Sequence, residues 1–256
     1  MSEGNPAKEE KIFNGIAASP GIAHCKPFVY ITQEVDVPSY AVGEGAHIAE
    51  VARFEQALLE TRRQIMEIRH EVAEKLGEDE ARIFDAHVLV LEDVALIDGT
   101  INEQKQSGLN IEACFHNVVA RFISAFEQMD DVFIKERVAD IKDVSRRLLN
   151  LLLGNSPQNI SHLNEMRIII AEDLPPSDTA TMDKSKVLGV ATDCGSRTSH
   201  AVIMARTLKV PAVVGLHDIT TKISTDDYLL IDGYEGKVIV NPSDNKRFRL
   251  KLRFVK

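Results

Sequence analysis

The 256-residue sequence has few cysteines and no long apolar run, and each shortage excludes a class of protein. Its three cysteines, Cys25, Cys114 and Cys194, are odd in number and far apart, so neither a disulfide framework nor a paired-cysteine zinc site is indicated. No run approaches the roughly 20 apolar residues that span a bilayer, and the N-terminal residues lack the apolar core of a signal peptide. We therefore expect a cytoplasmic protein with no membrane insertion.

The sequence also has little clustering of basic residues outside the stretch NKRFRLKLRFVK, residues 245–256. Its formal net charge is −9, and most of the Lys and Arg residues are mixed with acidic residues along the chain. A general nucleic-acid binder would gather its basic residues in stripes, so we expect no nucleic-acid partner. A basic or amphoteric protein partner is compatible with this charge. With 44% apolar residues, the chain has enough material for a buried core.

Apolar periodicity predicts a helical region in the middle of the chain. Apolar residues recur three and four apart, as in amphipathic helices, with Thr61 in one apolar position. Gly77 and Gly154 end two of the runs. The predicted helical segments are about 44–76, 79–97, 110–128 and 132–153. Four such segments with short connections predict a helical bundle.

Strand patterns flank the helical region on both sides. Residues 12–32 predict short strands joined by a tight turn at Ser19-Pro20-Gly21. After Gly154, apolar runs predict further strands, including a hairpin at Tyr234-Glu235-Gly236. A helix is expected from about Thr198 to Leu208.

The opening strands are similar in composition to the later ones, so the helical region is interpreted as an insertion. We predict an α/β domain that is interrupted by an all-α four-helix subdomain. The predicted boundaries are 1–40 with 155–256 for the α/β domain and 41–154 for the helical subdomain.

A histidine stands at a predicted helix start in the stretch GSRTSH, residues 195–200. Thr198 or Ser199 is a suitable N-cap, which leaves His200 in the first turn, where unpaired amides and partial positive charge favour a phosphoryl group. Arg197 adds a fixed positive charge, and neutral imidazole is a competent nucleophile near neutral pH. The combination favours phosphorylation of His200. The alternative is a buried or capping histidine, with Arg197 as an ordinary surface charge.

Two other chemistries have less support in these residues. Ser199 beside His200 does not form a hydrolase site, because neighbouring side chains at a helix start point apart and no G-x-S-x-G elbow is present. A metal site that combines His200 with His217 or Asp193 lacks the ligand spacing of a single element, so no metal ligands are predicted.

The stretch GSRTSHAVIMARTLKVPAVVG, residues 195–215, resembles the active-site segment of Enzyme I of the bacterial phosphoenolpyruvate:sugar phosphotransferase system. Other segments similar to the family follow in the family's order: GIAASPGIA near the N-terminus, EDEARIFDAHVLVLED at 78–93, KERVADIKDVSRRLL at 135–149 and AEDLPPSDTA at 171–180. The resemblance covers most of the chain. It implies a phosphohistidine α/β domain with an inserted four-helix subdomain that docks the phosphocarrier protein HPr.

The resemblance also implies roles for individual residues. His200 would carry the phosphoryl group on its Nε2 atom, and Arg197, Thr198 and Ser199 would complete the catalytic segment. On the helical subdomain, Glu78 and Asp79 match an acidic pair that faces basic residues of HPr. Leu89 and Val90 match apolar contacts, and Asp93 belongs to the same set of partner-binding residues.

The sequence departs from the family's pattern at two places near the histidine. Pro175-Pro176-Ser177 stands where the family commonly has Thr-Pro-Ser, so one hydroxyl is missing, and Ser177 or Thr179 would have to replace it. Ser196 replaces the second glycine of the usual GGRTSH form, which restricts the backbone beside the phosphoryl group.

The family continues into a C-terminal barrel that binds phosphoenolpyruvate and Mg²⁺ and forms the dimer, and the sequence has no α/β repeat of barrel length. The resemblance therefore implies no cofactor in this chain, with Mg²⁺ and dimerisation belonging to the barrel. It implies phosphoryl exchange with HPr, but no uptake from phosphoenolpyruvate. Two alternatives stay open: the phosphohistidine domain of a dikinase or phosphoenolpyruvate synthase, and a non-catalytic or regulatory HPr-docking protein with impaired phosphotransfer.

Overall fold

The structure is a computed structural model of the chain. It describes residues 9–31, 35–43, 45–129, 132–155, 160, 163–180, 182–196 and 199–243. The chain divides into two compact units, one from residues 1–32 and 159–256 and the other from residues 33–158. Among the described residues, the strands lie in the first unit and the second unit is built of helices, as the sequence predicts.

The described part of the second unit contains five helices, one more than the periodicity predicts. They are α1 (His47–Lys75), α2 (Glu78–Leu91), α3 (Val94–Ser107), α4 (Ile111–Glu127) and α5 (Val132–Leu152). The single helix predicted over 79–97 is wrong, because extended backbone at Asp93 separates α2 from α3. The Asp93 carboxylate caps α3 by accepting hydrogen bonds from the amides of Ala95 and Leu96 at 2.8 and 3.3 Å. Apolar residues continue on both sides of this break, so periodicity does not reveal it.

Aromatic and aliphatic side chains from different helices form the core of the helical unit. The rings of Phe54 on α1 and Phe115 on α4 are fully buried, with their centroids 5.6 Å apart. Each such buried side chain contributes roughly 1.5–3 kcal/mol to stability. Thr61 is also fully buried, which confirms that it occupies an apolar position of α1. Gly77 follows α1 with a φ of 122°, a conformation that favours glycine.

The described strands of the first unit form two sheets. The strands are β1 (Lys11–Asn14), β2 (Ile16–Ser19), β3 (Ile22–Cys25), β4 (Pro27–Tyr30), β5 (Arg167–Ala171), β6 (Val187–Thr192), β7 (Ala212–Val214), β8 (Leu229–Asp232) and β9 (Lys237–Val240). One sheet is antiparallel with the order β1-β9-β8-β3. The other has the order β2-β7-β6-β5-β4, in which β4 to β7 are parallel and β2 is antiparallel.

Both predicted turns of this unit are present, but one connects strands of the same sheet and the other connects strands of different sheets. The turn at residues 234–236 closes the hairpin of β8 and β9, in which Asp232 is opposite Lys237, and this confirms the prediction. Ser19-Pro20-Gly21 joins β2 to β3, but these strands lie in different sheets. The turn therefore carries the chain from one sheet to the other.

Three short helices accompany the sheets: α6 (Pro176–Ala180), α7 (His200–Thr207) and α8 (Ile219–Lys222). The isoleucine run in β5 is fully buried and alternates between two cores. Ile169 packs in the core that contains Ala201 and Val202 of α7, whereas Ile168 and Ile170 pack in the core shared with β8 and β9. This alternation fixes the face of the parallel sheet on which α7 lies. Among the residues described, none of the helices combines the length and apolar character needed to cross a membrane.

Candidate functional site

The segment that leads to His200 leaves the parallel sheet at the carboxyl end of β6. Its backbone is hydrogen-bonded to the last residue of β5 and to the residue after β7: the Asp193 amide donates to the Ala171 carbonyl at 3.0 Å, and the Gly215 amide donates to the Cys194 carbonyl at 3.2 Å. Open α/β sheets bind their ligands at the carboxyl ends of parallel strands. The loop therefore lies at the edge of the sheet where a ligand site is expected.

Asp193 anchors this loop from inside the unit. Its carboxylate is buried and accepts hydrogen bonds from the backbone amide of Ile219 and the hydroxyl of Thr220, at the start of α8. The Asp193 carboxylate therefore links the loop to the start of α8, whereas from the sequence it was considered as a metal ligand. Within the described part of the chain, no three His, Cys, Asp or Glu side chains gather in a way that could hold a metal ion.

Two adjacent residues shape the loop before α7. Gly195 has a φ of 111°, and a Cβ atom added there would lie 3.2 Å from the Cβ of Val214. Glycine is therefore required at this position both by conformation and by space. The backbone of Ser196 lies outside the left-handed region, which among the described non-glycine residues is occupied by Lys209, His217 and Asn241. Serine therefore fits the second position without backbone strain.

His200 is the first residue of α7, and Ser199 is its N-cap with φ −62° and ψ 149°. The hydroxyl of Ser199 donates to the Ser196 carbonyl at 3.0 Å and does not cap the helix amides. The amide of Val202 donates to the Ser199 carbonyl at 3.0 Å, whereas the two earlier amides of the turn, those of His200 and Ala201, have no acceptor within the helix and can hold an anion. Arg197 and Thr198 lie outside the described residues, as does the side chain of His200.

The rest of α7 is fixed against the sheet. Val202 is fully buried, and Ala201 and Ala205 are buried beside it. At the far end, the guanidinium Nε of Arg206 donates to the carbonyl of Ala18 at 2.6 Å. The helix is thus held by its apolar face and its C-terminal turn, while its first turn meets the loop at the sheet edge.

Cys194 is a further potential nucleophile in this loop, and its surroundings raise the pKa of its thiol. Although Cys194 is exposed, desolvation by neighbouring atoms raises the pKa of its thiol, and the nearby carboxylates of Asp173, Glu172 and Asp193 raise it further. The thiolate is the nucleophilic form of cysteine. A thiol that stays protonated at neutral pH does not compete with a neutral imidazole.

The proline-marked loop after β5 continues into α6. The hydroxyl of Thr179 donates to the carbonyl of Pro176 at 2.9 Å, and both Thr179 and Ser177 are buried. Because the hydroxyl proton of Thr179 is used inside its own helical turn, the structure gives no support to Thr179 as a substitute donor for the missing hydroxyl at Pro175.

The helical unit carries a groove of about 280 Å³ between α2, α3, α4 and α5. Its lining is mostly apolar and consists of Leu89, Val90, Asp93, Leu96, Phe122, Phe126, Arg137 and Ile141. The structure thus brings together three of the five partner-binding residues suggested by the sequence. Leu89 is 66% exposed at this groove, so its apolar side chain is accessible to a partner.

Sequence reasoning missed five of the eight groove residues: Leu96 of α3 and four residues on α4 and α5. Phe122 and Phe126 of α4 form an edge-to-face pair with centroids 6.4 Å apart, and Arg137 and Ile141 come from α5. All four follow ordinary helical periodicity, and none stands in a short motif with its groove partners. Packing of separate helices is what brings them together.

The acidic pair at the start of α2 is not part of the groove. Leu89 follows Glu78 by eleven residues, about three helical turns, and Val90 follows Asp79 by the same number. Each acidic residue therefore lies on the same face of α2 as its apolar counterpart, roughly 16 Å away along the helix axis. Glu78 pairs with Arg69 at 3.0 Å and Asp79 with Arg82 at 3.5 Å, and both carboxylates are largely exposed. The acidic pair and the groove therefore occupy the same side of α2, at opposite ends.

Two family models match the chain. One is described as the N-terminal part of a phosphoenolpyruvate-utilising enzyme and matches residues 14–137, and the other as the mobile domain of such an enzyme and matches residues 163–236. Together they match residues in both compact units.

Curated relatives are named phosphoenolpyruvate-protein phosphotransferase. A Bacillus sp. (strain S) relative is 45% identical over 93% of this chain, one from Geobacillus stearothermophilus is 44% identical over 93%, and one from Listeria monocytogenes is 44% identical over 94%. The chain spans 41% of the length of each of these relatives.

Two solved structures share the fold. A solution structure titled Enzyme I (nEIt) has a TM-score of 0.74 and 40% identity, and the match covers 94% of this chain and 97% of that one. A structure titled N-terminal domain of Enzyme 1 – Nitrogen has a TM-score of 0.57, covers 95% and 99% of the two chains, and at 24% identity supports the fold alone.

Proposed function

This chain belongs to the Enzyme I family of phosphoenolpyruvate-utilising enzymes, whose N-terminal part it matches, and from that premise we propose that it exchanges a phosphoryl group between His200 and the phosphocarrier protein HPr. The observation that carries the proposal is the start of α7. His200 opens this helix at the carboxyl edge of the parallel sheet, and the hydroxyl of Ser199 leaves the first-turn amides uncapped.

The proposed chemistry is a direct phosphoryl exchange. The lone pair of the neutral His200 Nε2 forms a bond to phosphorus as the bond between phosphorus and the donor group of HPr breaks and returns its electron pair to that group. The helix-start amides and Arg197 would stabilise the charge on the transferring phosphoryl oxygens. No general base is needed, because a neutral imidazole nitrogen attacks through a free lone pair.

The groove on the helical unit is the proposed docking site for HPr. Apolar side chains of the carrier would cover Leu89 and Val90, and basic residues of the carrier would face Glu78 and Asp79 on the same side of α2. Apolar contacts at the centre with charges at the periphery are typical of protein interfaces. An acidic face also agrees with the net charge of −9.

The proposal is tested by mixing the polypeptide with HPr that carries a radioactive phosphoryl group. We expect about one equivalent of label per chain, labile in acid and stable in base, as for a phosphoramidate. Phosphoenolpyruvate with Mg²⁺ in place of phosphorylated HPr is the control and is expected to leave the chain unlabelled, since the resemblance assigns that reaction to another part of the family. HPr binding without label transfer would favour the non-catalytic docking protein instead.

A further inference from the structure

A buried imidazole–carboxylate pair joins the two helices on either side of the groove. His87 of α2 and Asp140 of α5 are 1% and 5% exposed, and the Nε2 atom of His87 donates to the Oδ1 atom of Asp140 at 3.3 Å. The ring of Phe84 packs edge-on against the imidazole with a centroid separation of 5.4 Å. Burying such polar groups costs free energy, and a hydrogen bond between them only offsets that cost.

The second oxygen of Asp140 points to a residue of the groove. Its Oδ2 atom lies 3.8 Å from the Nη1 atom of Arg137, one helical turn earlier on α5. Among the described residues that line the groove, Arg137 is the cation, and its side chain is half exposed. One carboxylate therefore contacts the buried imidazole with one oxygen and the groove's guanidinium with the other.

We propose that His87 and Asp140 are positioning residues for carrier docking, which hold the guanidinium of Arg137 at the edge of the groove. The inference rests on the proposed function. A free arginine side chain loses much conformational freedom when it meets a partner, and a carboxylate that already orients it reduces this loss. His87 in turn fixes the carboxylate, in the way that outer hydrogen bonds orient inner ligands. The expected target of Arg137 is a hydrogen-bond acceptor on the carrier, a carbonyl or carboxylate beside its apolar contacts.

The same helix offers a matched control for a purely structural role. Asp143 is 4% exposed, also lies on α5, and pairs with Arg146 at 3.0 Å, three residues away. It therefore reproduces the burial and the arginine contact of Asp140. Arg146 is not among the residues that line the groove. If buried carboxylates on α5 serve only the fold, both aspartates should respond alike.

The test is a double-mutant cycle on HPr affinity, measured by titration of the polypeptide with HPr. The variants are Asp140→Asn, Arg137→Ala, the combination of the two, and Asp143→Asn. We expect Asp140→Asn to raise the Kd by about 3- to 10-fold when Arg137 is present and by less than about 2-fold in the Arg137→Ala background. Asp143→Asn should change the Kd by less than about 2-fold. Equal losses in both backgrounds, or an equal loss from Asp143→Asn, would overturn the inference.

Two substitutions of His87 provide a second readout. Gln keeps an N–H donor near the position of Nε2, so His87→Gln should retain HPr affinity within about 2-fold, whereas His87→Leu should resemble Asp140→Asn. Equal affinities of the two variants would count against the positioning role. If the wild-type chain itself does not bind HPr, the proposed docking and this inference fail together. If the wild-type chain binds HPr but the effects of Asp140→Asn and Arg137→Ala on the free energy of binding simply add, this inference alone fails.

Discussion

The two units of this protein build their candidate sites from different parts of the chain. In the α/β unit, backbone groups surround the proposed acceptor His200: a glycine with positive φ, carbonyls that hold the loop, and the amides at the start of α7. In the helical unit, the groove consists of side chains that four helices contribute. A backbone-built site occupies one short stretch of sequence, whereas a groove built from side chains is dispersed over more than fifty residues.

The comparison predicts that substitutions in the two units will have separable effects. Changes at the start of α7 should alter phosphoryl transfer and leave HPr affinity unchanged. Changes in the groove should alter HPr affinity and leave transfer at saturating HPr unchanged. A substitution that changed the rate of phosphoryl transfer and the affinity for HPr in proportion would contradict this separation of the two units' effects.

The largest expected effect is that of His200→Ala. Because the proposed acceptor atom is removed, label transfer from phosphorylated HPr should fall below detection, while the Kd for HPr stays within about 2-fold of wild type. His70→Ala, at an exposed position of α1, is the matched histidine control and should accept label normally. Residual acid-labile label on the His200→Ala chain would show that another residue is the acceptor.

The next effect is expected from Leu89→Asp. A carboxylate in place of an apolar contact should raise the Kd for HPr by about 30-fold, ~2 kcal/mol, as for a central interface residue. Leu59→Asp is the control, because Leu59 is 65% exposed against 66% for Leu89 but lies on α1, away from the groove lining. Equal losses from the two variants would mean that the groove is not the docking site. Calorimetric titration measures both.

A smaller effect is expected when Glu78 and Asp79 are both replaced by Lys. Their carboxylates are exposed and already paired with Arg69 and Arg82, so solvent and these partners weaken their attraction to the carrier. We expect the Kd for HPr to rise by about 10-fold at low salt, ~1.4 kcal/mol, and the difference to shrink as salt is added.

The control for that charge reversal makes the same change of net charge on the other unit. Glu165→Lys with Asp226→Lys replaces two exposed acidic residues of the α/β unit. This variant should bind HPr with nearly wild-type affinity. If it loses as much affinity as the α2 variant, the carrier responds to the overall charge of the chain and not to a local acidic face.

Features set by neighbouring residues were predictable from the sequence. The GSRTSH stretch predicted a helix with His200 in its first turn, and the turn at residues 234–236 predicted a hairpin, because both depend on local backbone conformation. The long α1 was also predictable, because one face of it stays apolar through several turns.

Features set by distant residues were not predictable. The Asp193 carboxylate binds the start of α8, 26 residues later, and nothing in its immediate sequence indicates this contact. The break at Asp93 escaped detection because apolar residues continue on both sides. Phe122 and Arg137 belong to the groove through helix packing, which periodicity does not specify.

The smallest expected effect is that of Ser196→Gly, which restores the second glycine of the family's usual segment. Ser196 contributes its carbonyl to the loop, accepting from the amide of Ser199 at 3.2 Å and from its hydroxyl at 3.0 Å, and glycine keeps that carbonyl. Its backbone is not left-handed, so glycine relieves no strain, and the freedom that glycine adds to the unfolded chain costs less than ~1 kcal/mol of stability. We expect the rate of label transfer to stay within about 2-fold of wild type. Gly195→Ala is the contrasting variant, because Gly195 has a φ of 111° and the added Cβ would lie 3.2 Å from Val214. It should slow label transfer clearly. A fast Gly195→Ala chain together with a slow Ser196→Gly chain would show that glycine is needed at position 196 and not at position 195.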